Sequence, residues 1–274
     1  MSGVDRDVPT GLGTLRVRVT GTGPAMLLWP SLLMDHALWA GQITHFSGRF
    51  TTVAVDPPGH GASTPLDRPF TFGECAQAML RILDTLEIDR AHIVGNSWGA
   101  MIGTTFGALY PERVLTAVLM NGTASPAGTR QRLEYGALLA LAHVLGGFRG
   151  PLVPAALSAF LGPETMRTRP EVVEQVRRTV RANDIGSAAH AVRSVVVRRP
   201  DQRELAASIR RPTLVVGGRQ DATFPPAEVE GMARAIPGAE LAFLEDAAHL
   251  VALEVPDAVN ALIDDFLRRH TPHS

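Results

Sequence analysis

With 274 residues, 45% of them hydrophobic and 19% charged, the chain can bury a full core, which excludes the fibrous and disordered classes and makes one main domain the expectation. A formal net charge of −1 supplies no field towards nucleic acid or anionic lipid, so neither is an expected partner. The basic side chains are all arginine, which removes lysine-based catalysis; Cys75 is the one cysteine, so no internal disulfide forms, and the opening MSGVDRDVPT has no apolar signal core, which makes the cytoplasm the expected location.

Short β-rich runs alternate with Ala/Leu-rich helical stretches. The predicted strands are Leu15–Val19, Ala25–Trp29, Thr51–Val55, Ala91–Val94, Val114–Met120, Pro212–Val216 and Leu241–Leu244. This alternation predicts an α/β fold with a mostly parallel, doubly wound sheet. Ala25–Trp29 and Ala91–Val94 are nearly continuous in apolar residues and should be central. The alternation stops between Gly122 and Arg211, where about ninety residues read as helix broken by Gly and Pro, a predicted helical insertion over 123–211 within a core of 1–122 and 212–274. Within it, Glu171–Ala182 places Val172, Val173, Val176 and Val180 at helical spacing, with Arg177, Arg178 and Arg181 left for solvent. The apolar stretches Tyr135–Val144 and Pro151–Leu161 are too short and interrupted to span a bilayer, and read as buried helices or a lid.

Directly after the strand Ala91–Val94 comes Gly95-Asn96-Ser97-Trp98-Gly99, followed by a helical pattern to Tyr110. In a strand–turn–helix setting, glycines two residues either side of a serine let strand and helix approach while the serine sits on a strained turn at the helix N-terminus. Ser97 is therefore the candidate nucleophile, although an isolated match to such a short pattern could be an ordinary turn. A serine hydroxyl needs an imidazole to take its proton and a carboxylate to orient that imidazole. His249 follows the last strand and precedes the final helix; Asp221 follows Pro212–Val216 through Gly217-Gly218-Arg219-Gln220. Both sit at strand ends, and the chain order Ser, Asp, His is the one this kind of turn calls for.

Asp246 is nearer to His249 in sequence but poorly placed on the same short loop, and reads as a solvated charge. His60, in Asp56-Pro57-Pro58-Gly59-His60-Gly61-Ala62-Ser63, reads as structural. Asn121, just after the strand ending at Met120, occupies another possible acid position but cannot act as a carboxylate. Donors for an oxyanion are expected from the backbone N–H of Trp98 and, after the strand Ala25–Trp29, that of Leu32. Trp29, Leu33 and Met34 are candidate substrate-binding walls, for which core packing is the plainer alternative. Arg130 and Arg132 are the arginines considered for a carboxylate. Metal-ligand spacings are absent, and the chemistry calls for no metal or cofactor.

Together these residues resemble the α/β-hydrolase superfamily over nearly the whole chain. The resemblance implies the α/β-hydrolase fold with a helical cap, and assigns nucleophile to Ser97, acid to Asp221, base to His249 and oxyanion donors to Leu32 and Trp98. Asp56 to Ser63 looks like the family's D-x-[RP]-G-x-G-x-S turn, and Trp39 matches a tryptophan common in it. Pro30-Ser31-Leu32 replaces the frequent His-Gly segment and is similar to that of 3-oxoadipate enol-lactonases. Ser97 departs from the aspartate nucleophile of haloalkane dehalogenases. The expected function is serine hydrolysis of a small-molecule carboxylic ester or lactone through an acyl-enzyme. The alternatives are a carbon–carbon bond hydrolase or a cofactor-free perhydrolase or haloperoxidase on the same triad, and a non-catalytic binder of a hydrophobic ligand. The sequence leaves the oligomeric state open.

Overall fold

Strands built on nearly continuous apolar runs can be covered on both faces, and the structure, a computed structural model describing residues 3–271, puts such strands at the middle of one sheet. In chain order the strands are β1 (Val4–Thr10), β2 (Gly13–Thr20), β3 (Ala25–Trp29), β4 (Thr51–Val55), β5 (Ala91–Asn96), β6 (Val114–Met120), β7 (Thr213–Gly218) and β8 (Glu240–Leu244). Among the described residues they form one sheet in the order β1-β2-β4-β3-β5-β6-β7-β8. β2 runs antiparallel to β1 and β4; every other neighbouring pair is parallel. As expected, β3 and β5 are adjacent and central, and every residue of both is buried.

The strand reading lacked β1. Its Asp5 and Asp7 pair with Arg18 and Arg16 of β2 across an exposed edge, so the segment holds its place by ladder bonds and surface charge rather than by an apolar face. The helices follow their apolar spacing. Phe72–Thr85 opens with a capping box, in which Thr71 Oγ1 accepts from Glu74 N–H and Glu74 accepts from Thr71 N–H, and buries Phe72, Cys75, Met79, Ile82 and Leu83. Trp98–Leu109 leaves β5 and is buried along almost its whole length.

Between β6 and β7 the described residues are helical: Thr129–Val144, Leu152–Phe160, Pro163–Thr168, Pro170–Ala182, Ile185–Val192, one π-helical turn Arg193–Val197, and Arg203–Ala206. Pro170–Ala182 buries Val172, Val176 and Val180, with Val173, like Arg177, only partly covered. Of the two readings of Tyr135–Val144, a buried helix or a lid, the first does not hold: Val144 is 83% exposed, and only Leu139 and Ala142 are buried. No helix of the described residues is long and apolar enough to cross a membrane.

Parallel strands bring their carboxyl ends to one edge, where open α/β sheets place their sites. Pairing of Trp29 with Gly95, Asn96 with Met120, and Gly218 with Leu244 sets the loops that follow β3, β5, β6, β7 and β8 side by side.

Candidate active site

Ser97 occupies the turn between β5 and the helix Trp98–Leu109 with φ 56° and ψ −108°, a left-handed conformation that is strained for a residue with a side chain. The two glycines are dictated by contact. A Cβ on Gly99 would collide with the Trp29 carbonyl, and one on Gly95 with the backbone of Gly99. Strand, turn and helix therefore close to a distance only hydrogen allows, and Ser97 N–H donates to the Met120 carbonyl at 2.7 Å to lock the turn to β6. Trp98 is the first residue of its helix, so its N–H has no carbonyl one turn back to bind.

At the ends of β7 and β8, the structure brings Asp221 and His249 together. His249 Nδ1–H donates to Asp221 Oδ2 at 2.8 Å, and both side chains are fully buried. Burial alone would raise the Asp221 pKa. The His249 ring beside it, the Asn121 amide and the Phe224 N–H more than offset that, and hold the carboxyl below its ordinary value. An ionised carboxylate can only accept, so Nδ1 carries the proton and Nε2 is left as the basic nitrogen. Asp221 Oδ1 accepts from Thr223 and Phe224 N–H, which closes the loop around it.

Asn121, set aside as unable to be the acid, proves to hold it. Its Nδ2 donates to Asp221 Oδ2 at 2.7 Å and to the Ala248 carbonyl at 2.9 Å, joining Asp221 to the residue before His249. Its φ of 49° suits asparagine, which tolerates the left-handed region. Asn96, beside Ser97, donates to the His249 carbonyl at 3.0 Å. Glu254, which the sequence reading did not single out, is 2% exposed and accepts four hydrogen bonds: Ala248 N–H at 3.0 Å and Leu250 N–H at 3.3 Å on Oε1, Gly162 N–H at 2.7 Å and Thr165 Oγ1 at 2.9 Å on Oε2. Burial raises its pKa, against the pull of those donors. The available signal was its position five residues after His249 in an apolar run, where a carboxylate needs buried partners.

Ser97 and His249 line one cavity of about 260 Å³. Leu32, Met101, Leu139, Phe148, Val195 and Phe224 supply apolar wall. Phe160 stacks on the His249 ring at 5.8 Å between centroids, and Phe224 tilts against it at 5.6 Å. Of the expected wall residues, Leu33 lines this cavity beside Leu32, whereas Trp29 and Met34 do not. Trp29 ends a fully buried strand and lies edge-on to Trp98, and Met34 faces a separate cleft with Asp35, Gly59 and Asn183. The arginines are likewise reassigned. Arg130 borders a neighbouring depression and Arg132 is exposed, while Arg199 lines the cavity itself.

Asp246 is exposed. His60 is buried against Trp98, with its Nδ1 on the Pro58 carbonyl at 2.9 Å, and burial drops its pKa to about 4, so it is neutral and structural. Among the described residues, the group with metal-capable spacing is Asp35, His36 and Asp56, away from this cavity. Its oxygens already serve the turn: Asp56 accepts from His36 Nδ1 and Ala62 N–H, and Asp35 from Ala37 N–H.

A model of the alpha/beta hydrolase fold family matches residues 24–256. The chain belongs to this family. It is similar to 3-oxoadipate enol-lactonase 2 of Acinetobacter baylyi, at 27% identity over 249 residues, 90% of this chain and 89% of that one. Among solved structures, a thermophilic esterase from Thermogutta terrifontis superposes with a TM-score of 0.88 at 25% identity, covering 98% of this chain and 100% of that one. The enol-lactonase from Burkholderia xenovorans LB400 gives 0.87 at 27% identity, covering 96% and 99%.

Proposed function

We propose that this α/β-hydrolase cleaves a carboxylic ester or lactone through an acyl-enzyme on Ser97. The observation that carries the reading is the buried Asp221–His249 hydrogen bond, with the imidazole lining the same cavity as a serine held in the left-handed region. In the first step Ser97 Oγ adds to the carbonyl carbon as His249 Nε2 takes its proton. The backbone N–H groups of Leu32 and Trp98 hold the oxyanion. Collapse breaks the carbonyl–oxygen bond, and the proton passes from His249 to the departing alkoxide, which in a lactone stays attached as a hydroxyl. Water, deprotonated by the same nitrogen, then releases the acid and restores Ser97. Asp221 keeps its charge throughout and stabilises the imidazolium. The enol-lactonase and esterase relatives support ester-bond chemistry over the other reactions the family hosts.

Residues 123–211 act in this reading as a cap, since Tyr135, Leu139, Leu152, Phe160 and Val195 from its helices line the cavity and limit its contact with bulk solvent. The test is hydrolysis of p-nitrophenyl esters of increasing acyl length and of a lactone panel by the wild type and by a folded Ser97→Ala variant. Turnover should fall at least a thousandfold with the substitution. Equal turnover by both proteins would remove Ser97 from the mechanism.

A further inference from the structure

Arg199 is 5% exposed yet lines the cavity of Ser97 and His249. It stands just beyond the π-turn Arg193–Val197, from which Val195 and Val196 line the same space. Two corners of its guanidinium are fixed: Nε donates to the Ser125 carbonyl and Nη2 to Gln131 Oε1, both at 2.9 Å, and the group lies 5.2 Å from the centre of the Phe224 ring. The third corner, Nη1, is buried and has no hydrogen-bond partner. No carboxylate of the described residues forms an ion pair with Arg199. Glu228 acts on it only through space, with its own Oε2 accepting from Thr123, and Glu134 borders the cavity as an exposed side chain.

A buried donor without a partner has lost its water and gained nothing for it, a cost that a ligand completing the pairing removes. The guanidinium fork matches a carboxylate in shape and charge. Because Phe224 touches both Arg199 and His249, the guanidinium lies no farther from the imidazole than those two ring separations laid end to end. That gap suits a short chain, and the apolar wall between suits methylene groups. We propose that Arg199 binds a carboxylate on the substrate, so that the molecule opened at Ser97 is an anionic ester or lactone with its acid group a few carbon atoms from the scissile carbonyl.

The proposal rests on the hydrolytic reading for the bond cleaved but not for the binding, so it is tested without turnover. In folded Ser97→Ala, calorimetric titration should show monomethyl adipate binding at least tenfold more tightly than uncharged dimethyl adipate at pH 7.5 and low salt. Adding Arg199→Gln should bring the two ligands within about threefold of each other, and Arg199→Lys should restore part of the difference. In protein that retains Arg199, its guanidinium ¹⁵N resonances should move on adding the monoester and not the diester, which decides the matter even where the variants misfold. Equal affinity for the two esters, a preference that survives Arg199→Gln, or unmoved resonances would overturn the proposal. A protein that hydrolyses neutral esters but fails here loses the carboxylate site alone; one that binds the monoester selectively but hydrolyses no ester loses the hydrolytic reading alone.

Discussion

Glu254→Gln isolates the part played by the buried carboxylate behind the base. All four groups facing it donate, and glutamine returns only one oxygen with an NH₂ in place of the other. Placing the NH₂ at Oε1 strands the N–H groups of Ala248 and Leu250. Placing it at Oε2 is better, since the Thr165 hydroxyl can turn to accept, but Gly162 N–H then faces another donor. One buried N–H left unsatisfied costs about 1–3 kcal/mol, which for a chain of this size lowers Tm by roughly 2–12 °C. Because the remaining amide oxygen is a weaker acceptor than the carboxylate for the two N–H groups that flank His249, kcat at 25 °C should also fall, by roughly tenfold, as the imidazole loosens. Thermal unfolding by circular dichroism and initial rates on the best ester measure the two effects. A variant that keeps its Tm would refute the hydrogen-bond argument; one that loses Tm but keeps kcat would show that the carboxylate supports the fold and does not position the base.

Asn121→Asp would set a second carboxylate 2.7 Å from Asp221, and the pair would have to share a proton. The expected outcome is a drop in kcat/KM of at least tenfold and an acid limb of the pH–rate profile moved upward; an unchanged profile would deny Asn121 its positioning role. Stability should also decline as pH falls. His60 and His92 are buried, and burial lowers both to about 4, against an unfolded value of about 6.5. Their depressed pKa values contribute stability that is fully present above 6.5 and lost as pH falls towards 4, by up to about 3 kcal/mol for each histidine. Urea unfolding between pH 7 and 4.5 should show this slope, and His92→Gln should flatten it; parallel slopes for variant and wild type would exclude His92 as a source.

The fold was legible because its signals are local. Nearly continuous apolar runs mark β3 and β5, and glycines around Ser97 mark a turn that leaves no room for a Cβ. The candidate triad was legible for a related reason, since each member stands in the loop or turn that follows a strand and parallel topology collects those ends. What the sequence hid depends on contacts between distant segments. Asn121 reads as a failed acid until Asp221, a hundred residues later, is seen to accept from it. Arg199 looks like one more surface arginine in VVVRRP until its burial is known. Trp29 and Met34 sit beside the right loop yet face elsewhere: Trp29 packs edge-on to Trp98 at the end of its strand, and Met34, in the loop beyond, turns to a separate cleft.

Glu254 and Phe160 tie the base to the helices above it. The Phe160 carbonyl accepts from both His249 and Leu250 N–H, while Glu254 binds Gly162 and Thr165 with one oxygen and the His249 loop with the other. Lifting the segment around residues 160–165 would therefore break the supports of the imidazole at the moment it admitted solvent. The position of that segment and the alignment of the imidazole are thereby one mechanical unit, so that neither can shift without the other.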